Sequence, residues 1–170
     1  MNKRIESIIN NVYSTRRVGK IVFYHAVYYY FYNLIFSDKC IVGEFIGKTH
    51  ISHGRLFALS YAHAALKERK IKSENVEEVT FRKNLDEILK EKVENFSLDY
   101  KNINKIYIHK SFFKLETSRD LPFIGKNNYF YFDKKDRQNI ESIFMKILPL
   151  KTQNENIPFS IKLKAHLTRY

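Results

Sequence analysis

The chain has one cysteine, Cys40, so no disulfide can form within it, and a reducing compartment is the expected setting. We expect Cys40 to be a buried structural thiol rather than a nucleophile. Glycine and proline are scarce, with five and three residues, while 44% of the chain is hydrophobic, which argues against disorder. The glycines also lack the spacing of a nucleotide-binding loop. At 170 residues, the chain is long enough for one domain with its own core.

Long hydrophobic runs are also lacking. The most apolar stretch, residues 22–36, is too short for a membrane span and is interrupted by His25 and Asn33. The start MNKRIESIINN has no apolar core of the kind found in signal peptides. We therefore expect a soluble, cytoplasmic protein, with peripheral membrane association as an open alternative.

Acidic residues are fewer than basic residues. The chain has 18 Asp and Glu and 30 Lys and Arg, which gives a formal net charge of +12. The excess lies at the two ends: residues 1–20 carry five basic and one acidic side chain, and residues 101–170 carry fourteen and six. Such a charge attracts phospholipid headgroups, nucleic acid or an acidic protein. The alternative is that the excess only reflects a lysine-rich proteome.

The first half of the chain predicts a helix, three strands and then helices again. Ile5, Ile8, Ile9 and Val12 have helical spacing, which predicts a helix over residues 3–14. Strands are predicted at residues 20–24, 28–36 and 40–46, with a tight turn at residues 37–39 between the last two. Further helices are predicted over residues 54–71 and after a cap at Asn84.

The second half predicts strands followed by one closing helix. Strands are expected at residues 96–100, 103–113 and 129–132. Pro122 breaks or displaces any strand before Gly125. Asp133 caps a helix over residues 134–147, which has one apolar stripe and stops at Pro149.

Three segments then resemble a known family. The runs LIFSDKCIVGEF, FSLDYKNINKIYIHKS and NYFYFDKKDRQNIESIFMKIL are similar, in this order, to the early hairpin, the middle strand pair and the closing strand and helix of bacterial and archaeal pleckstrin-homology-like domains, including the GRAM-type group. The resemblance implies an α+β fold, in which a two-sheet antiparallel barrel is closed by a C-terminal helix. The alternating basic residues of phosphoinositide-binding members are missing from residues 20–25, so that ligand is not implied.

On this resemblance the chain divides into three parts. Residues 1–19 form an N-terminal helical segment, and residues 20–148 form the pleckstrin-homology-like domain. A helical insertion occupies about residues 50–95 of that domain. Residues 149–170 form a basic C-terminal tail, and the sequence leaves open whether it packs on the domain.

Catalytic and metal-binding patterns are weak. His50 and His53 are three residues apart, but no cysteine or carboxylate lies within reach of them by sequence. We therefore expect no metal site. No nucleophile signature is present, and the paired carboxylates lie among lysines, which is typical of solvated helix faces. We expect no enzymatic activity, no catalytic residues and no cofactor. A small enzyme assembled from distant segments is the least favoured alternative.

The remaining signal is basic and aromatic. Residues 161–166 alternate apolar and basic side chains, which predicts a strand with Lys162, Lys164 and His166 on one face. The candidate residues for binding an anionic surface are Arg16, Arg17, Lys20, Lys162, Lys164 and Arg169.

These residues lead to two functional hypotheses. The first is a non-catalytic interaction module that binds a protein partner or an anionic membrane surface. The second is a basic nucleic-acid-binding protein, in which Tyr29, Tyr129 and Tyr131 could stack on bases, although core packing is the favoured role for such aromatics. The sequence leaves the ligand and the oligomeric state open.

Overall fold

The computed structural model describes residues 5–21, 24–51, 84–121 and 128–169. The strands are β1 (Ile5–Ile21), β2 (Tyr24–Ser37), β3 (Cys40–Ile51), β4 (Phe96–Asp99), β5 (Ile103–Ile108), β6 (Phe112–Thr117), β7 (Tyr129–Tyr131) and β8 (Thr152–Gln153). The α-helices within this part are α1 (Leu85–Glu91), α2 (Arg137–Ile147) and α3 (Phe159–Arg169).

All eight strands belong to one sheet, in the order β4-β3-β2-β1-β7-β6-β5-β8. Among the described strands, only the β5–β8 pair is parallel, so the sheet is mixed. β4 and β8 are the two edges of the sheet that these strands form, so it does not close. The predicted two-sheet barrel is therefore wrong. The reason is β1, which pairs with β2 on one side and with β7 on the other, and so joins the two halves of the chain into one sheet.

The predicted N-terminal helix is also wrong, because residues 5–21 form the strand β1. Two irregularities of register, between Ile5 and Ser7 and between Ile9 and Val12, produce the spacing that resembles a helix. Each extra residue reverses the alternation of faces. Ile5 and Ile8 therefore share one cluster although they are three residues apart, and Ile9 and Val12 share another.

The second irregularity is stabilised by polar contacts that span three strands. Asn11 lies there with a left-handed φ of 56°, a conformation that asparagine tolerates better than most residues. Its N–H donates to the side-chain oxygen of Asn33 on β2, at 3.3 Å. The amide nitrogen of Asn33 in turn donates to the buried carboxylate of Glu44 on β3, at 3.1 Å. Glu44 thus has a structural partner.

Helices cover both faces of the sheet. Alternate residues of β2 point to opposite faces. Tyr30, Tyr32, Leu34 and Phe36 lie in the largest apolar cluster, which also contains residues of α2, so this side is called the α2 face. The opposite side, called the α3 face, carries two further clusters, one under α3 and one under α1.

Several predicted local features are confirmed. The side chain of Asn84 caps α1 by accepting from the N–H of Asp86 at 3.1 Å. The side chain of Asp133 caps the 3-10 turn that leads into α2 by accepting from the N–H of Lys135. The apolar stripe of α2 is buried. The tight turn before β3 is present, and Cys40 is buried as expected, with its N–H bonded to the Ser37 hydroxyl at 3.1 Å.

Two predicted strands have different bounds. Residues 103–113 are not one strand, because β5 ends at Ile108 and β6 begins at Phe112. Residues 20–24 are not one strand either, since Ile21 on β1 pairs with Tyr24 on β2. The helix predicted over residues 54–71, most of the predicted insertion and the region of Pro122 lie outside the described residues.

Candidate functional site: the outer face of helix α3

The C-terminal segment is a helix that packs on the sheet, so the strand predicted over residues 161–166 is wrong. In a strand, Ile161, Leu163 and Ala165 would all face the same way. In the helix, Ile161 and Ala165 are four residues apart and are both buried in the cluster on the α3 face. The N–H groups of Ile161 and Lys162 both donate to the carbonyl of Pro158, which begins the helix.

Two tyrosines of β7 hold α3 on the sheet. The hydroxyl of Tyr131 donates to the carbonyl of Ala165 at 2.8 Å, and that of Tyr129 donates to the carbonyl of Ile161 at 3.3 Å. Their rings extend an aromatic layer under the helix, with Tyr13 stacked on Tyr131 at 5.2 Å between centroids. The inner side of α3 is therefore determined by apolar packing and by hydrogen bonds.

The opposite side of α3 carries a second apolar stripe, which is exposed. Phe159, Leu163 and Leu167 are spaced by four residues and are 76%, 47% and 57% exposed. They are offset by two residues from the buried pair, which is about 200° around the helix axis. We call these three residues the outer stripe. Three large apolar side chains in one exposed row are unusual on a surface that contacts only water.

Basic side chains border the outer stripe. Lys162, Lys164 and His166 are all exposed, and they alternate with its residues along the helix. The sequence from residue 156 to residue 170 contains no aspartate or glutamate. The exposed side of α3 therefore combines an apolar row with positive charge.

The predicted anion-binding residues do not form one surface. Arg16 pairs with Tyr28, whose side chain packs in the cluster on the α2 face, so Arg16 projects on that side. Lys162 and Lys164 are on the other side of the sheet, on α3. Arg17 and Lys20 belong to β1, and Arg169 ends α3, but their side chains lie outside the described residues.

Sequence reasoning missed the residues of the outer stripe, because the strand prediction placed Leu163 beside Ile161 and Ala165. A signal was present in the sequence. Phe159, Leu163 and Leu167 repeat every four residues directly after Pro158, which favours a helix that starts there.

The tyrosines considered for base stacking are in the core. Tyr29, Tyr129 and Tyr131 are all buried in the cluster beneath α3, together with Phe112 and Ile161. Packing, the role favoured from the sequence, is thus the one observed. A nucleic-acid base has no access to these rings while α3 is in place.

Part of the histidine pair considered for metal binding lies outside the described residues. The side chain of His50 and all of His53 lie outside the described residues. Within the described ranges, no group of three histidine, cysteine, aspartate or glutamate side chains is close enough to hold a metal ion. In the same ranges, no helix has the length and apolar character needed to cross a bilayer.

Comparison of the chain with protein-family models, with curated proteins and with solved structures finds no match in any of the three. The pleckstrin-homology-like resemblance therefore has no support beyond the three sequence segments, and the barrel that it implied is wrong.

Replacing Tyr131 by phenylalanine is expected to lower the free energy of unfolding by about 1 kcal/mol, since it removes the 2.8 Å hydrogen bond to Ala165 and leaves ring packing unchanged. Tyr129→Phe is the matched control, with a longer bond of 3.3 Å and a smaller expected loss. Urea denaturation measures both, and amide exchange locates the loss. If the amide protons of α3 exchange as slowly in Tyr131→Phe as in the parent protein, the hydrogen bond from Tyr131 to Ala165 does not anchor the helix.

The docking of α3 is expected to weaken at alkaline pH. Burial, and secondly the charge of Glu116, raises the pKa of Tyr129 to about 12, whereas tyrosine in an unfolded chain titrates near 10. The native state therefore keeps its proton longer, so this contribution is complete below about pH 10 and is lost as the pH rises toward 12. Urea denaturation between pH 10 and pH 12 should show that the free energy of unfolding falls more steeply with pH in the parent protein than in Tyr129→Phe. Equal slopes in the two proteins would contradict this prediction.

Proposed function

We propose that this protein is a non-catalytic interaction module that binds an anionic membrane surface through the outer face of α3. The observation that carries the proposal is the outer stripe of Phe159, Leu163 and Leu167 with Lys162 and Lys164 beside it. Helices that lie in the membrane interface have this combination of apolar residues on one side and basic residues at its borders. The net charge of +12 supports long-range attraction to the same surface.

The apolar side chains and the lysines of this surface each contribute a binding free energy that suits reversible membrane binding. Full burial of a leucine or phenylalanine side chain contributes about 1.5–3 kcal/mol, and the outer stripe is about half to three-quarters exposed. Each lysine near an anionic leaflet contributes about 1 kcal/mol. The inner side of α3 stays packed on the sheet, so binding needs no unfolding of the helix.

A second copy of the chain fits this surface less well. Two α3 helices packed stripe to stripe would bring the basic borders of the two copies near each other, and residues 156–170 contain no aspartate or glutamate. Three side chains of one eleven-residue helix are also a small area compared with the roughly 1,200 Å² or more of a stable interface. An anionic lipid surface attracts the basic borders of the stripe instead.

The test is co-sedimentation of the full chain with vesicles of phosphatidylcholine alone and of phosphatidylcholine with phosphatidylserine, at about 0.15 M salt. We expect binding only to the serine-containing vesicles, with a decrease as salt is raised. Duplex and single-stranded DNA are added as competitors, and binding should survive them. Equal sedimentation of the protein with and without vesicles would reject the membrane proposal. Complete displacement of the protein from the vesicles by DNA would reject it as well.

A further inference from the structure

An open groove of about 800 Å³ runs along the outer side of α2. Clefts of this size commonly bind ligands in proteins. Gln138, Ser142 and Met145 line the groove and are separated by four and three positions, so they lie on one side of the helix. All three are exposed, whereas the apolar stripe of α2 is buried against the sheet. We call this feature the α2 groove, and it is open to solvent.

The end of the α2 groove at the start of the helix is basic. Lys134, Lys135 and Arg137 line it there, and both lysines are exposed. Among the described residues that line the groove, Glu141 is the acidic one. Its carboxylate lies 3.6 Å from the Arg137 Nε and also accepts from the side chain of Asn154, so it compensates the arginine and not the lysines. This end of the groove therefore attracts an anionic group.

Two aspartates beside the lysines reduce this charge without cancelling it. Residues 133–137 contain three basic and two acidic side chains, so their net charge stays positive. The carboxylate of Asp133 caps the turn before α2 by accepting from the Lys135 N–H at 3.3 Å. Asp133 and Asp136 do not line the groove, whereas the two lysines do. A ligand in the groove therefore meets the lysines first.

The other end of the α2 groove is apolar. Met145 is 43% exposed there, and the flexible side chain of methionine adapts to differently shaped partners. Between the two ends, Gln138 and Ser142 supply hydrogen-bond donors and acceptors of the kind that pair with peptide groups. Along the helix, the groove thus presents positive charge, then hydrogen-bonding groups, then an apolar contact.

We propose that the α2 groove binds an acidic segment of a partner protein, with its carboxylates at Lys134 and Lys135 and an apolar side chain at Met145. Duplex nucleic acid fits less well, because its continuous phosphate charge would pass the carboxylate of Glu141. A bilayer fits less well too, since Met145 is the exposed large apolar side chain of α2, a helix that is described throughout.

The α2 groove and the outer stripe of α3 lie on different sides of the molecule, because α2 and α3 cover opposite faces of the sheet. A membrane in contact with α3 therefore leaves the groove open. The inference goes beyond the proposed function and does not rest on it.

The test measures the fluorescence anisotropy of a labelled peptide, with glutamates in one half and leucines in the other, added to the full chain at about 0.15 M salt. We expect saturable binding, and none for the peptide in which glutamine replaces glutamate. In Lys134→Ala combined with Lys135→Ala, we expect the dissociation constant to rise roughly tenfold, since two exposed ion pairs are lost. Lys90→Ala combined with Lys101→Ala is the matched control, because it removes the same charge from two exposed lysines that do not line the groove.

Two further measurements locate the peptide. The amide NMR signals of Gln138 and Ser142 should shift saturably, and Met145→Ala should weaken binding of this peptide but not of one with serine in place of leucine. No saturable binding, or equal losses in the two double variants, would overturn the inference. If the loss of Lys134 and Lys135 weakens binding to phosphatidylserine vesicles or to duplex DNA but leaves peptide binding unchanged, the groove takes a lipid or a nucleic acid and the inference is wrong.

Discussion

Replacing both Phe159 and Leu163 by serine is expected to lower the affinity for phosphatidylserine-containing vesicles about 100-fold, the equivalent of about 2.7 kcal/mol. These two side chains are 76% and 47% exposed, so the substitutions remove apolar area that the membrane would bury, without opening a cavity in the core. The expected change in the free energy of unfolding is therefore small, within about 0.5 kcal/mol. Vesicle titration and urea denaturation of the same preparations measure the two quantities.

Val93→Ser is the matched control, since Val93 is an apolar residue with 76% exposure that follows α1, away from the outer stripe. It should leave vesicle binding unchanged. Equal losses for the control and for the double variant would mean that binding depends on overall surface hydrophobicity and not on α3. Retention of full affinity by the double variant would exclude the outer stripe as the binding surface.

Gly43→Ala is expected to destabilise the protein by about 3 kcal/mol. Gly43 on β3 pairs with Phe96 on β4, and a β-carbon at this position would overlap the Phe96 ring. The ring cannot move aside, because it is buried and packs edge-on against Tyr32, at 5.3 Å between centroids. Urea denaturation measures the loss.

A second substitution shows whether the overlap is the cause. In Gly43→Ala combined with Phe96→Leu, the smaller side chain leaves room for the new methyl group, so the total loss should be less than the sum of the two single losses. Ser97→Ala, at an exposed neighbour on β4, is the control and should have little effect. Additive losses in the double variant would show that the strain arises elsewhere.

Local features of the fold were predictable because neighbouring residues determine them. Asn84 and Asp133 cap helices with their own side chains, and Ser37 closes the turn before β3. The apolar stripe of α2 was also evident, because its helical period has no competing interpretation. In each case, the interaction joins residues only a few positions apart.

The wrong secondary-structure predictions arose where the spacing of the apolar residues fits both a helix and a strand. The spacing of Ile5, Ile8, Ile9 and Val12 matches a helix, but two bulges in a strand produce the same burial, and only the pairing of β1 with β2 and β7 decides between them. The alternation over residues 161–166 matches a strand, but the aromatic layer beneath α3 buries Ile161 and Ala165 and leaves Leu163 outside.

The sequence by itself determined the charge, the apolar content, the lone thiol and most short-range caps and turns, since these depend on composition or on adjacent residues. The tertiary structure decided that there is one open sheet instead of a barrel, because that depends on β1 meeting β7, more than a hundred residues away. It also decided which side of α3 is exposed. That choice, and with it the candidate binding surface, follows from long-range packing that no local pattern contains.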